Sequence, residues 1–92
     1  MTNDEAVLDS TPALASMFRL QWEEVQQSWV LLYPEGMVKL NGSAGEIMQR
    51  IDGKKTIAQL ITDLETAFDA TGLQADVLAF LDIAIAQGWV KP

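Results

Sequence analysis

The sequence contains neither cysteine nor histidine among its 92 residues. Without cysteine, the chain alone has no disulfide, no thiolate nucleophile and no cysteine-ligated zinc or iron–sulfur site. Without histidine, it lacks the side chain that most often serves as a general base near neutral pH and as a metal ligand. We therefore expect a protein that is not an enzyme and that has no metal or other cofactor of its own.

Basic residues are also scarce, since six Lys and Arg face thirteen Asp and Glu, which leaves a formal net charge of −7. Proteins that bind nucleic acid or anionic membranes gain affinity by neutralising phosphates with clustered Lys and Arg. The charge balance therefore argues against both kinds of partner. Half of the residues are hydrophobic (49%), so one small core is expected and no second domain.

Long hydrophobic runs are absent. The longest one, residues 77–86, is interrupted by Asp82 and is far shorter than the roughly 20 apolar residues that span a bilayer. The acidic N-terminal segment has no basic region followed by an apolar one, as a secretory signal would. These features predict a cytoplasmic protein without a membrane segment.

The chain divides into an N-terminal tail, 1–16, and a domain, 17–92. The tail has no helical or strand periodicity, so we expect it to be flexible. Phe18, Leu20 and Trp22 then alternate with polar residues, as in a half-buried strand.

Two further strands follow, at residues 29–33 and 37–40, and Pro34-Glu35-Gly36 between them is typical of a tight turn. Three strands with short connections predict an antiparallel sheet in the order 1-2-3. The third strand has only Lys39 as a charge to protect its open edge, and such an edge can accept an added peptide strand.

Three helices are predicted after the sheet. Ser43 with Glu46, and Thr56 with Gln59, match the capping box of a helix start. The third helix, about residues 74–87, has apolar side chains over about 220° of its circumference at 100° per residue. This exceeds what one small core needs, so the excess must be covered, either by a bound peptide, by a dimer interface or by a core that buries the helix completely.

Two other classes of function fit this pattern. A winged-helix nucleic-acid-binding protein has a similar element order, but it needs a basic recognition helix, and the third helix carries only Asp76 and Asp82 as charges. A homo-oligomerisation module would pair the apolar surface of the third helix with its own copy. A homodimer is compatible with peptide binding or would block it.

One stretch, WVLLYPEGMVKLN at residues 29–41, resembles the PqqD family. Ala44, Ile47, Met48 and the Asp52-Gly53 pair agree with that family in spacing, and the resemblance runs from Phe18 to Val90. The resemblance implies an α+β, winged helix-turn-helix-like fold, and a peptide chaperone of the kind called a RiPP recognition element.

A PqqD-like protein is expected to bind the precursor peptide PqqA. It presents that peptide to the radical S-adenosylmethionine enzyme PqqE in the biosynthesis of pyrroloquinoline quinone. The family binds its peptide as a strand added to strand three, beside the last helix. Carried to this chain, the peptide-binding residues are Met37, Val38, Lys39, Leu40, Val77, Leu78, Leu81, Asp82 and Ile85.

Overall fold

The computed structural model of the protein describes residues 7–92. Its central sheet contains β2 (Arg19–Glu23), β3 (Ser28–Tyr33) and β4 (Gly36–Lys39), all antiparallel and in the order β2-β3-β4. The predicted meander is therefore confirmed. β3 is the middle strand, and the two residues Pro34 and Glu35 connect it to β4.

The alternation of side chains determines which face of the sheet is covered. Leu20, Leu31 and Val38 are opposite one another on the three strands and pack in one hydrophobic cluster. Their neighbours along the strands, such as Gln21 and Lys39, are exposed on the other face. Val30 of the middle strand lies opposite Gln21 and Lys39 and is fully buried, so the outer face is shielded along its centre and exposed along its two edge strands.

Three helices lie wholly within the described residues: α1 (Gly42–Met48), α2 (Ile57–Ala67) and α3 (Gln74–Ala86). The order of a three-stranded antiparallel sheet followed by three helices agrees with the predicted α+β fold class.

The starts of α1 and α2 differ in how well the sequence predicts them. The capping box of Thr56 and Gln59 at α2 is confirmed, with both of its hydrogen bonds present. The box predicted for Ser43 and Glu46 is wrong. Asn41 caps α1 instead, because its Oδ1 accepts from the Ala44 backbone N–H at 2.8 Å and from the Ser43 hydroxyl at 3.1 Å.

The core consists of two adjoining clusters. One joins α2 to α3 through residues such as Leu60, Leu64 and Val77. The other joins the sheet to α1 and α3 through Leu31, Met48 and Ala84. Phe80 of α3 packs against both clusters, so α3 connects the helical part of the domain to the sheet.

A second, two-stranded sheet pairs β1 (Ala13–Leu14) with β5 (Val90–Lys91). The segment before β1 is also held, because Pro12 and Ser10 carbonyls accept from the Gly53 and Ile57 backbone N–H groups, each at 3.0 Å. The boundary predicted at residue 17 therefore lies inside structured chain. Residues 1–6 of the predicted tail lie outside the described residues. Two-residue strands are too short to produce a detectable period, so sequence alone misses this sheet.

Among the helices of residues 7–92, none combines the length and the apolar character that crossing a bilayer requires.

Candidate functional site

The open edge of the sheet is at β4. Within residues 7–92, β4 pairs with β3 alone. Leu40 N–H donates to the Trp29 carbonyl at 3.0 Å, and backbone hydrogen-bonding direction alternates along an antiparallel pair. Val38 therefore bonds toward β3, whereas the backbone N–H and C=O of Met37 and Lys39 point away from the sheet. These two residues offer four hydrogen-bonding groups to an incoming strand.

The side chains of this strand region alternate in the same way. Met37 is 48% exposed and Lys39 is exposed, on the outer face of the sheet. Val38 is half-buried, and Leu40 is buried in the cluster that contains Ala84 of α3. The strand and the third helix thus share one hydrophobic cluster, which supports the spatial relation that the family resemblance implied.

A groove of about 750 Å³ begins at Gly42, the third residue after the end of β4. The start of α1 forms one wall, the end of α2 forms the far end, and the first half of α3 forms the opposite wall. Most of the lining side chains are apolar. The lining residues are Gly42, Ser43, Glu46, Ile47, Leu64, Phe68, Ala70, Leu73, Asp76, Val77, Ala79 and Phe80.

Polar contacts hold the rim of the groove in place. Arg50 donates to both the backbone carbonyl and the Oε1 atom of Glu46, at 2.9 and 2.8 Å, and its guanidinium lies 5.7 Å from the ring centre of Phe68. Glu65 accepts from the Leu73 backbone N–H at 3.0 Å, which fastens the end of α2 to the start of α3. Phe68 nevertheless remains 52% exposed, so the groove presents an aromatic surface to solvent.

The side chains of the third helix lie on three surfaces, which are the core, the groove and the opposite flank of the helix. Val77, Leu81 and Ala84 are buried at 2% exposure or less and face the core. Phe80 and Asp76 line the groove on one side of this buried stripe.

The remaining helix residues proposed from sequence lie elsewhere. Leu78, Asp82 and Ile85 fall on the other side of the buried stripe at 100° per residue, and none of the three lines the groove. Of the five helix residues proposed, Val77 alone reaches the groove, and Leu81 packs in the core between α2 and α3.

Sequence reasoning missed the groove side of α3. Phe80 and Ala79 line the groove, and Ile83, 55% exposed, continues the same flank one turn later. The signal available was the excess apolar arc of the helix, which is symmetrical about its buried stripe. The width of the apolar arc predicts that the helix has more apolar surface than the core can cover, but it does not predict which flank of the helix lines the groove.

Residues 7–92 contain no group of three or more Asp or Glu side chains placed to hold a metal ion. The surface instead combines an unpaired strand edge with an apolar groove, which are the two features needed to bind an extended chain.

Comparisons with known proteins agree with this geometry. The family model described as "Coenzyme PQQ synthesis protein D (PqqD)" matches residues 28–90. A Pseudomonas aeruginosa protein named "PqqA binding protein" is 49% identical over 85 residues, covering 91% of this chain and 92% of that protein. An Acinetobacter baylyi protein of the same name is 47% identical, with coverages of 91% and 86%.

A solved structure is also similar. It is the solution NMR structure of the PqqD truncation of Methylobacterium extorquens PqqCD, described as a functional, stand-alone RiPP recognition element. The two structures superpose with a TM-score of 0.74 at 29% identity, covering 88% of each chain. With the family model matching more than half of its length, the chain belongs to the PqqD family.

Proposed function

We propose that this chain is a non-catalytic chaperone in the biosynthesis of pyrroloquinoline quinone, which binds the precursor peptide PqqA and presents it to the radical S-adenosylmethionine enzyme PqqE. The observation that carries the proposal is the open edge of β4, which ends beside the apolar groove between α1 and α3. The names of the curated relatives support PqqA as the peptide.

On the strand side, the peptide pairs with β4 through the outward-facing backbone groups of Met37 and Lys39. Val38 and Leu40 pack in the cluster shared with α3 and therefore fix the position of the strand edge relative to that helix, although neither lines the groove. Main-chain hydrogen bonds contribute affinity with little dependence on sequence, and side-chain pockets contribute specificity.

On the helix side, the peptide's apolar side chains pack against the groove flank of α3. Val77 and Leu81 act by fixing the shape and position of this helix, since both are almost fully buried. Leu78, Asp82 and Ile85 are on the far flank. Substitutions there test whether the peptide is confined to the groove or also wraps around α3.

This mode of binding favours exchange. A flexible peptide loses conformational entropy when it becomes an ordered strand, which lowers its net affinity. A lower net affinity suits a protein that presents its peptide to an enzyme, because the peptide must also dissociate.

Isothermal titration with a synthetic PqqA-type peptide, alongside a scrambled peptide, tests the proposal. Lys39→Pro removes an outward N–H that β3 does not use, and proline is tolerated on edge strands in this orientation. We expect Lys39→Pro to weaken binding at least about ten-fold, because the loss of one hydrogen bond worth about 1.4 kcal/mol raises Kd by that factor. Lys39→Ala is the matched control and should bind as the unchanged protein does.

Presentation to the enzyme needs a second experiment. Cross-linking of PqqA by PqqE is followed by mass spectrometry with no added chain, with the unchanged chain and with Lys39→Pro. Product that depends on the chain and falls with Lys39→Pro supports presentation. Equal product in all three mixtures would remove presentation from the proposal and leave peptide binding to be judged by titration.

A further inference from the structure

The groove between α1 and α3 has few polar side chains, and most of them already have partners. Its polar lining residues are Ser43, Glu46 and Asp76. The Ser43 hydroxyl donates to Oδ1 of Asn41 at 3.1 Å, and Oε1 of Glu46 accepts from Arg50 at 2.8 Å. Within residues 7–92, the carboxylate of Asp76 forms no ion pair. Asp76 is therefore the charged group of the groove that is available to a ligand.

The charge of Asp76 is not cancelled by its surroundings. None of the six Lys and Arg residues lines the groove, and Arg50 at the rim is neutralised by Glu46. Asp76 lies in the first turn of α3, where the helix dipole contributes about half a positive charge. A full carboxylate charge outweighs that contribution, so this wall of the groove is negative.

The apolar lining makes the charge more selective. Side chains such as Leu64, Phe68 and Phe80 exclude water from the groove, and charge interactions are stronger where water is excluded. A peptide that fills the groove with apolar groups alone takes water from Asp76 and provides no partner, which costs free energy. A Lys or Arg side chain instead packs its aliphatic stem on the apolar wall and places its charge at the carboxylate.

The strand edge has the opposite charge. Lys39 is the one charged residue of β4, so the edge offers no carboxylate to a basic peptide side chain. A basic residue of the peptide is therefore matched only beyond the end of β4, where the groove begins. Because a shift of one residue turns every side chain of a strand to the other face, a contact with Asp76 also determines the register of the added strand.

From these relations we infer that Asp76 is a specificity-determining residue, which selects a peptide segment that carries a Lys or Arg beside apolar side chains. The same contact sets the register of the peptide along β4 and the groove. An acidic segment is rejected, because it would place like charges together in an apolar cleft. This inference rests on the proposed function, since it concerns the peptide bound at that site.

Isothermal titration with a set of synthetic PqqA-type peptides, each with one Lys or Arg replaced by Gln, tests the inference. At one peptide position, the replacement should weaken binding to the unchanged protein about three- to ten-fold. With Asp76→Asn, the same replacement should change Kd by less than about two-fold, because the partner charge is already gone. Asp82→Asn, on the opposite flank of α3, is the matched control for net charge and should keep the full preference.

Two further variants separate charge recognition from a structural role at the start of α3. Asp76→Glu keeps the charge and should keep the preference for the basic peptide. Asp76→Lys should bind a peptide with Glu at the selected position more tightly than the original peptide. A structural role would weaken the binding of every peptide alike, and chemical denaturation of each variant measures any loss of stability.

The inference is overturned if each replacement in the peptide has the same effect on the unchanged protein and on Asp76→Asn. If Lys39→Pro still weakens binding in that case, the proposed peptide site stands and the role of Asp76 alone is removed. If the unchanged protein binds no peptide of the set, both the proposed function and this inference fail.

Discussion

A β-carbon placed on Gly45 would lie 2.8 Å from Cδ1 and 3.0 Å from Cβ of Trp29, closer than ordinary van der Waals contact. The absence of a side chain at Gly45 therefore lets α1 approach β3. We expect Gly45→Ala to destabilise the fold by about 1 kcal/mol or more, because overpacking outweighs the gain in helix propensity.

Chemical denaturation measures that difference, and Gly42→Ala is the matched control. No atom lies within 4 Å of a β-carbon at Gly42, so alanine there should leave stability unchanged or slightly raised. Equal stability of the two variants would show that α1 can move away from β3 at little cost.

The end of α2 contains a residue in a conformation better suited to glycine. Asp69 has a φ of 50°, and Ala70 N–H donates to the Glu65 carbonyl at 2.9 Å, as in a Schellman motif. Asp69 also places a negative charge at the negative end of the helix dipole. Asp69→Gly should raise the free energy of unfolding by about 0.5–1 kcal/mol.

Thermal unfolding compares this variant with Ala70→Gly. Ala70 is not among the positive-φ residues, so glycine at that position should lower stability slightly. A loss of stability in Asp69→Gly would mean that the aspartate side chain supports the helix end.

The Asp52 carboxylate accepts from two backbone N–H groups, Lys55 at 2.8 Å and Lys54 at 2.9 Å. The Lys55 and then the Lys54 hydrogen bond lower the pKa of Asp52 below its usual range, and Lys55 also adds a favourable charge. The folded-state pKa is lower than the unfolded one, so the carboxylate's contribution to stability is complete above about pH 4. It is lost as the pH falls through the folded-state pKa.

An NMR titration of the Asp52 carboxyl group measures that pKa directly. Asp52→Asn has no carboxyl group to protonate at this position, so its stability should fall less than that of the unchanged protein as the pH is lowered. Asp82→Asn, on the exposed surface of α3, is the control and should lose stability as the unchanged protein does. An Asp52 pKa at or above the usual value would contradict the hydrogen-bonding arrangement.

Charge placed inside the groove should oppose peptide binding. Ala79 is exposed and lines the groove, and Ala75, one turn earlier and also exposed, does not. We expect Ala79→Arg to weaken PqqA-type peptide binding at least about ten-fold, because the apolar wall gains a solvated charge. Ala75→Arg should bind unchanged, and equal titrations of the two variants would exclude this wall from the site.

The sequence predicts local structure best where a pattern is long. The alternation of Phe18, Leu20 and Trp22 and the turn at residues 34–36 together specify the three-stranded sheet. The order of elements and the Thr56 cap follow from equally local signals. By contrast, β1 and β5 have two residues each and form through a contact between distant parts of the chain.

The candidate site depends on the same long-range contacts. Leu81 and Ile83 are both apolar residues of α3, yet their exposures are 2% and 55%. Which flank of the helix faces the strand is decided by the packing of α3 against α1 and α2. The resemblance assigns Leu81 to the peptide site, yet replacing it with Asp would place an unpaired charge in the core.

The pairing of Ala13 with Lys91 brings the start of β1 and the end of β5 together on one side of the domain. The chain that enters β1 and the chain that leaves β5 pass within one strand spacing of each other. A short linker between them would close the domain into a ring, and new ends opened at the exposed Val25 turn would give a circular permutant that keeps all three helices.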